Sequence, residues 1–145
     1  MTIKIGINGL GRIGRMIIRT LIESKNKNIE IKHINNRTNS ETSCLLLKYD
    51  SVHGRFNANI NFNEKNLIIN KKKISFSQET ELRKINWKKY GVDIVLECTG
   101  KYNSKEKSIQ HIKNGAKKVI ISAPCKNACL LYTSDAADDS LRVDL

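Results

Sequence analysis

The spacing of apolar and polar positions changes several times along the chain, and each change marks an element. Ile3, Ile5 and Ile7 make a short β-branched strand with few residues between them, as suits a strand covered on both faces. Gly9, Gly11 and Gly14 follow at once, and Ile13, Ile17, Ile18, Leu21 and Ile22 then recur at helical spacing. Arg12, Arg15, Arg19 and Glu23 are expected away from that apolar face. Residues 29–34 alternate as a second strand ending at Asn35-Asn36-Arg37. Residues 40–48 read as a helix, with a Ser-x-x-Ser start and the apolar run Cys44-Leu45-Leu46-Leu47, before a polar turn over 49–55.

The period then shortens. Residues 58–62, 67–69 and 74–76 are β runs separated by Asn63-Glu64-Lys65-Asn66 and Asn70-Lys71-Lys72-Lys73, which predicts a small antiparallel insertion joined by hairpin loops. Trp87, near Tyr90, is expected to pack the connection that follows. Residues 92–97 form the next strand, closing at Cys98-Thr99-Gly100. A helix over 104–114 starts with a cap-like Ser104 and stops at Gly115, and 118–122 make another strand. Strands alternating with helices in this way predict an α/β fold, a Rossmann-type doubly wound parallel sheet.

In such a fold the glycines acquire chemical meaning. Gly9 permits a tight turn, Gly11 lets backbone approach a pyrophosphate, and Gly14 lets the helix pack closely. The helix start then offers unpaired N–H groups and the positive end of its dipole. Three glycines at this spacing are a weak signal alone, since ordinary turns contain them. A strand before them and an amphipathic helix after them make dinucleotide binding the expected role. Because strand carboxyl ends face the ligand crevice, Thr99, Gly100 and Ser122 are expected to meet the cofactor.

Composition narrows the alternatives. The 145 residues amount to one domain, 39% hydrophobic, with no apolar run of membrane-spanning length and no basic-then-apolar leader, so a cytoplasmic protein without membrane contact is expected. The net charge of +12 raises nucleic-acid binding, but the lysines are scattered among Asn and Ile and the Lys71-Lys72-Lys73 cluster lacks interleaved aromatics. No nucleic-acid partner is expected. Cys44, Cys98, Cys125 and Cys129 show no paired spacing, so neither a metal site nor a disulfide framework is expected.

Four segments together carry a more specific resemblance: residues 7–15, Leu47-Lys48-Tyr49-Asp50-Ser51-Val52-His53-Gly54-Arg55-Phe56, Glu97-Cys98-Thr99-Gly100, and 115–124. They resemble, in order and from Met1 to about Ala128, the cofactor domain of phosphorylating glyceraldehyde-3-phosphate dehydrogenases. Erythrose-4-phosphate dehydrogenases share the architecture, and the resemblance leaves both open, as it does a stand-alone dinucleotide-sensing module. It implies an NAD(P)-dependent oxidation of a phosphorylated aldehyde, with a cysteine thiolate, a histidine base, hydride transfer and release of the thioester by phosphate. It further implies a full-length homotetramer. Asn8, Gly9, Gly11, Arg12 and Ile13 would bracket the pyrophosphate, Thr99 and Gly100 would lie on the nicotinamide side, and Ser122 nearby. His53 is read as structural or interface-related rather than catalytic, and Cys98 as a buried, inert thiol.

Two departures qualify the transfer. Asn36 stands where the family usually has an aspartate on the adenine ribose, and Arg37 follows it. A neutral amide does not repel a 2′-phosphate and an arginine attracts one, so NADP use is a stated alternative to NAD. Thr80-Glu81-Leu82 replaces a common Arg-Asp-Pro near the adenine, which weakens an adenine contact there.

After Ala128 the family pattern stops. Cys129-Leu130-Leu131-Tyr132-Thr133-Ser134-Asp135-Ala136-Ala137-Asp138 matches the translation of a transposon-type sequencing adapter, TGT CTC TTA TAC ACA TCT GAC GCT GCC GAC, and Arg142-Val143-Asp144-Leu145 fits its continuation beyond an index. Residues 1–128 are therefore read as an incomplete NAD(P)-binding domain and 129–145 as a non-native tail. Without the tail the chain carries 25 basic and 10 acidic residues, net +15. On this reading the family's Ser-Cys-Thr-Thr-Asn segment, the histidine base and the substrate domain lie beyond the break, no catalytic residue is in the chain, and this stretch alone is inactive. A bare sheet edge, marginal stability and aggregation are expected of it.

Overall fold

A computed structural model describes residues 2–50, 54–102, 104–122 and 130–132. Among them, ten strands and three helices follow one another as β1 (Ile3–Asn8), α1 (Arg12–Glu23), β2 (Ile29–Asn35), α2 (Ser40–Lys48), β3 (Tyr49–Asp50), β4 (Gly54–Arg55), β5 (Ile60–Asn63), β6 (Asn66–Ile69), β7 (Lys72–Ser77), β8 (Ile94–Glu97), α3 (Lys105–Lys113), β9 (Lys118–Ile121) and β10 (Leu130–Tyr132). Eight strands form one sheet in the order β10-β9-β8-β1-β2-β7-β6-β5, while β3 and β4 pair separately. Strands β9, β8, β1, β2 and β7 are parallel. The chain builds outward from β1 through β2 to β7, then crosses back to lay β8 on the other side of β1. That reversal makes the gap between β1 and β8 a topological switch point.

The small antiparallel insertion is present as predicted, and it extends the main sheet, since β7 pairs parallel with β2 while β6 and β5 fold back antiparallel beyond it. Local apolar alternation sets which face each run buries and says nothing of which strand it will join. The β6–β7 hairpin closes through Asn70 and Lys71, both with positive φ (50° and 71°), the twist that a two-residue type I′ turn requires.

Both faces of the sheet are covered. Ile5, Ile7, Ile18, Ile34, Leu47, Phe56 and Phe76 belong to the core under α1 and α2, and Trp87, Val92, Val95, Val119 and Ile121 to a second one toward α3. Trp87 packs the connection as predicted and is fully buried. The α1 pattern needs correction at both ends of the polarity scale. Arg19, expected outside, is 4% exposed, and its guanidinium donates to the Leu47 carbonyl (2.8 and 3.1 Å) and the Gly54 carbonyl (3.0 Å) and lies over Phe56. Ile13, expected inside, lies in the first turn of α1 and is 49% exposed. In α2 only Cys44 and Leu47 of the apolar run are buried, Leu45 and Leu46 face out, and Asn39 rather than Ser40 caps the helix by accepting from Thr42 N–H. β8 begins at Ile94, two residues later than expected.

Beside β9 runs β10, antiparallel to it with Leu130 opposite Ile120 and drawn from residues beyond 128. His53, Cys125 and Cys129 lie outside the described residues. Among the described residues no helix is long and apolar enough to cross a membrane, and no group of His, Cys, Asp and Glu has metal-binding geometry.

Candidate functional site

At the carboxyl ends of the parallel strands, a cleft of about 160 Å³ opens between the glycine turn and the segments after β2, β7 and β8. Asn8, Gly9, Gly11, Asn36, Arg37 and Thr99 of the predicted residues line it. A larger cleft of about 620 Å³ lies at the opposite, amino ends of β2 and β7. Size does not decide between them. The glycine turn, the helix start and the switch point all belong to the smaller one.

The turn explains why glycines stand where they do. Gly9 has φ +99°, and a Cβ there would lie 2.8 Å from Thr99 Cγ2, so the β1 and β8 ends touch only because position 9 lacks a side chain. A Cβ on Gly14 would fall 2.2 Å from the Gly9 carbonyl, so the close packing predicted there is first against the turn and then against Ile7. At Gly11 a Cβ would meet nothing within 4 Å, leaving open space beside the helix start. The Arg15 N–H bonds to the Gly11 carbonyl (3.0 Å), and Arg12, Ile13 and Gly14 precede it in the unladdered first turn. No acidic side chain occupies that turn. Open space over free N–H groups at the positive end of a helix dipole fits a pyrophosphate.

Arg12 and Ile13 do not line the cleft with their side chains; what they offer is backbone N–H. Gly100, with φ +78°, and Ser122 flank it without lining it. Ser122 N–H donates to the Glu97 carbonyl at 3.0 Å. Asn36 is engaged at both ends of its amide: Oδ1 accepts from Leu10 N–H (3.1 Å) and Nδ2 donates to Ser43 Oγ (3.0 Å). It thereby ties the end of β2 to the glycine turn. Arg37 is exposed at the rim, with no carboxylate paired to it among the described residues. Thr80 and Leu82 stand in the cleft wall where the family's Arg-Asp-Pro would be.

Of the polar residues beneath the cleft, Asn8 and Thr99 were singled out by the sequence, while Asn35, Ser77, Glu97 and His111 were not. Asn8 is 2% exposed and its side chain turns into the protein, donating to Glu97 Oε1 (2.7 Å) and accepting from Asn35 Nδ2 (2.9 Å). Thr99 donates to Glu97 Oε2 through both its backbone N–H (2.9 Å) and its hydroxyl. Behind them His111 Nε2 meets Glu97 Oε1 at 2.8 Å, and Trp87 Nε1–H donates to His111 Nδ1 at 2.9 Å. An indole N–H only donates, so Nδ1 is the acceptor and Nε2 carries the hydrogen given to Glu97. The available signal was position: Asn8, Asn35, Ser77 and Glu97 are each the last residue of a parallel strand.

The Cys98 thiol is no nucleophile here. Burial pushes its pKa up to about 11, and the Glu97 charge adds to the effect against a hydrogen bond from Ser122. Burial likewise raises that of Cys44.

A doubly wound parallel sheet with a glycine turn at its switch point defines a dinucleotide-binding α/β domain. Residues 3–105 match the family model described as "Glyceraldehyde 3-phosphate dehydrogenase, NAD binding domain". The chain belongs to that family. It is 47% identical over 127 residues to glyceraldehyde-3-phosphate dehydrogenase of Geobacillus stearothermophilus, covering 88% of this chain and 37% of that protein. It is 42% identical over 139 residues to the Thermotoga maritima enzyme (96% and 42%), and 44% over 147 to that of Lactobacillus delbrueckii subsp. bulgaricus (99% and 44%). The chain thus spans about two fifths of the length of these curated relatives.

Proposed function

We infer that this chain is the cofactor-binding part of a phosphorylating glyceraldehyde-3-phosphate dehydrogenase acting in glycolysis or gluconeogenesis in the cytoplasm. The observation that carries the binding role is the open first turn of α1 beside Gly9 and Gly11, aligned with the β1/β8 switch point. When bound, the dinucleotide supplies a hydride acceptor. The chain's own part is to hold the pyrophosphate on the N–H groups of Gly11 to Ile13 and to orient the other end beside Thr99. Cys98 and Cys44, the cysteines among the described residues, are both held as thiols, which supports a nucleophile for a phosphorylated aldehyde in another part of the enzyme and a chain that alone turns over no substrate. A homotetramer, as the family resemblance implies, is the expected assembly of the whole enzyme. Residues 129–145 are read as adapter-derived. Resequencing the genomic locus past codon 128 tests this, and a native frame encoding the same seventeen residues overturns it.

Asn36 and Arg37 favour acceptance of NADP beside NAD, because a neutral amide stands where the family usually has an aspartate and a guanidinium with no ion-pair partner among the described residues stands at the rim. Titration calorimetry of the 145-residue chain tests both readings. Binding of NAD and NADP within about tenfold of each other is expected, and Asn36→Asp widens the gap in favour of NAD. A strong preference of the unaltered chain for NAD overturns the dual reading. Failure of a folded chain to bind either overturns the binding role.

A further inference from the structure

The last residues of four adjacent parallel strands form one directed chain of hydrogen bonds under the cleft. His33 Nε2 lies 2.8 Å from Ser77 Oγ, whose hydroxyl donates to Asn35 Oδ1 at 2.6 Å. Asn35 Nδ2 donates to Asn8 Oδ1, and Asn8 Nδ2 donates to Glu97 Oε1. Because the Ser77 hydrogen is committed to Asn35, its oxygen accepts from His33. From the opposite side Trp87 donates to His111 and His111 to Glu97. Both arms therefore run toward the same carboxylate. The strand register makes this possible, with Asn35 opposite Ser77, Asn8 opposite Asn35 and Glu97 opposite Asn8.

Glu97 is 1% exposed and receives four donors: the Asn8 amide, His111, and the N–H and hydroxyl of Thr99. Two oxygens so supplied leave no acceptor for a carboxyl hydrogen, and hydrogen bonds to a buried ion are the strong ones. Three of the four donors come from residues that line the cleft, two from Thr99 at the β8 end and one from Asn8 at the β1 end, and His111 holds the carboxylate from behind.

The geometry points to Glu97 as a positioning residue for dinucleotide binding: it sets Thr99 in place before ligand arrives, with the converging donor chain as its mount. This rests on the dinucleotide reading of the cleft and on the assignment of Thr99 to the nicotinamide side. Glu97→Gln replaces one of two acceptor oxygens by a donor, so four donors compete for one oxygen and the hold on Thr99 weakens, while the turn at Gly9 and Gly11 and the Asn36 tie remain. Its effect therefore falls on one half of the ligand. By calorimetry on the 145-residue chain, Glu97→Gln lowers NAD affinity about tenfold, the value of a hydrogen bond to a charged group, and leaves AMP affinity within about twofold.

A second measurement needs no variant. In the unliganded chain the Thr99 amide is expected to exchange with solvent far more slowly than that of its exposed neighbour Gly100, because its partner is already in place. Equal losses for NAD and AMP, or unchanged NAD affinity in a folded variant, overturn the assignment. So does a Thr99 amide that becomes protected only when NAD is added, which decides the matter even if the variant does not fold. An unaltered chain that binds AMP and NAD equally well removes the nicotinamide-side premise. One that binds neither fails earlier, at the dinucleotide reading.

Discussion

His33 shows how a single residue sets a limit on the whole fold. Its ring is fully buried, stacked on Tyr90 at 3.8 Å and edge-on to Trp87, and its Nδ1 has no hydrogen-bond partner among the described residues. Protonation would place an N–H at that nitrogen with nothing to receive it. Burial, reinforced by the Lys89 charge, lowers the pKa from 6.5 to about 4. The folded state thus binds this proton less readily than the unfolded one. The stability that neutral His33 allows is intact above pH 6.5, falls as pH drops below it, and is fully lost below pH 4. The loss over that window amounts to about 3 kcal/mol. Urea midpoints measured from pH 7 to 5, where carboxylates contribute little, should fall steeply for the unaltered chain and less for His33→Phe. Parallel slopes contradict the assignment.

At the scale of elements, periodicity located the three α-helices and every strand but β3, β4 and β10, and it failed where a residue's chemistry outweighed its polarity class. Arg19 is buried because α1 crosses the carbonyl ends left free at Leu47 and Gly54, a tertiary circumstance that no helical wheel contains. The pairing of β7 with β2 was equally invisible, since strand order depends on the path of the chain between strands. The β6–β7 hairpin was legible as a loop but not as a type I′ turn, for Lys71 is a poor residue at φ +71°. Lys71→Gly is accordingly expected to stabilise the chain by about 0.5–1 kcal/mol, since a side chain in the left-handed region costs more than glycine's extra freedom. A thermal melt checks this; a lower Tm would mean that the Lys71 side chain makes a contact that outweighs its backbone strain.

For the molecule as a whole, the glycine turn and the strand-end crevice could be read from the chain, because both are encoded in consecutive residues. The polar seam under the crevice could not. Asn8, Asn35, Ser77 and Glu97 are far apart in sequence, and only the parallel register sets them side by side. The outer edge of the sheet is a second whole-molecule property. β10 satisfies the outward N–H and C=O groups of β9, so a chain ending at residue 128 presents that edge to solvent or to another molecule. Light scattering at rising concentration should show residues 1–128 associating more readily than the 145-residue chain. Equal scattering would mean that β10 contributes nothing to edge protection.

Trp87 is the chain's one tryptophan, and it sits where three parts of the fold meet. A Cβ on Gly6 of β1 would lie 2.5 Å from its ring, His33 of β2 is edge-on to it, and His111 of α3 takes its N–H. Its emission therefore comes from a single, dry, hydrogen-bonded indole. The molecule carries its own optical gauge, in which one fluorescence band reports at once on the sheet, the crossing connection and α3.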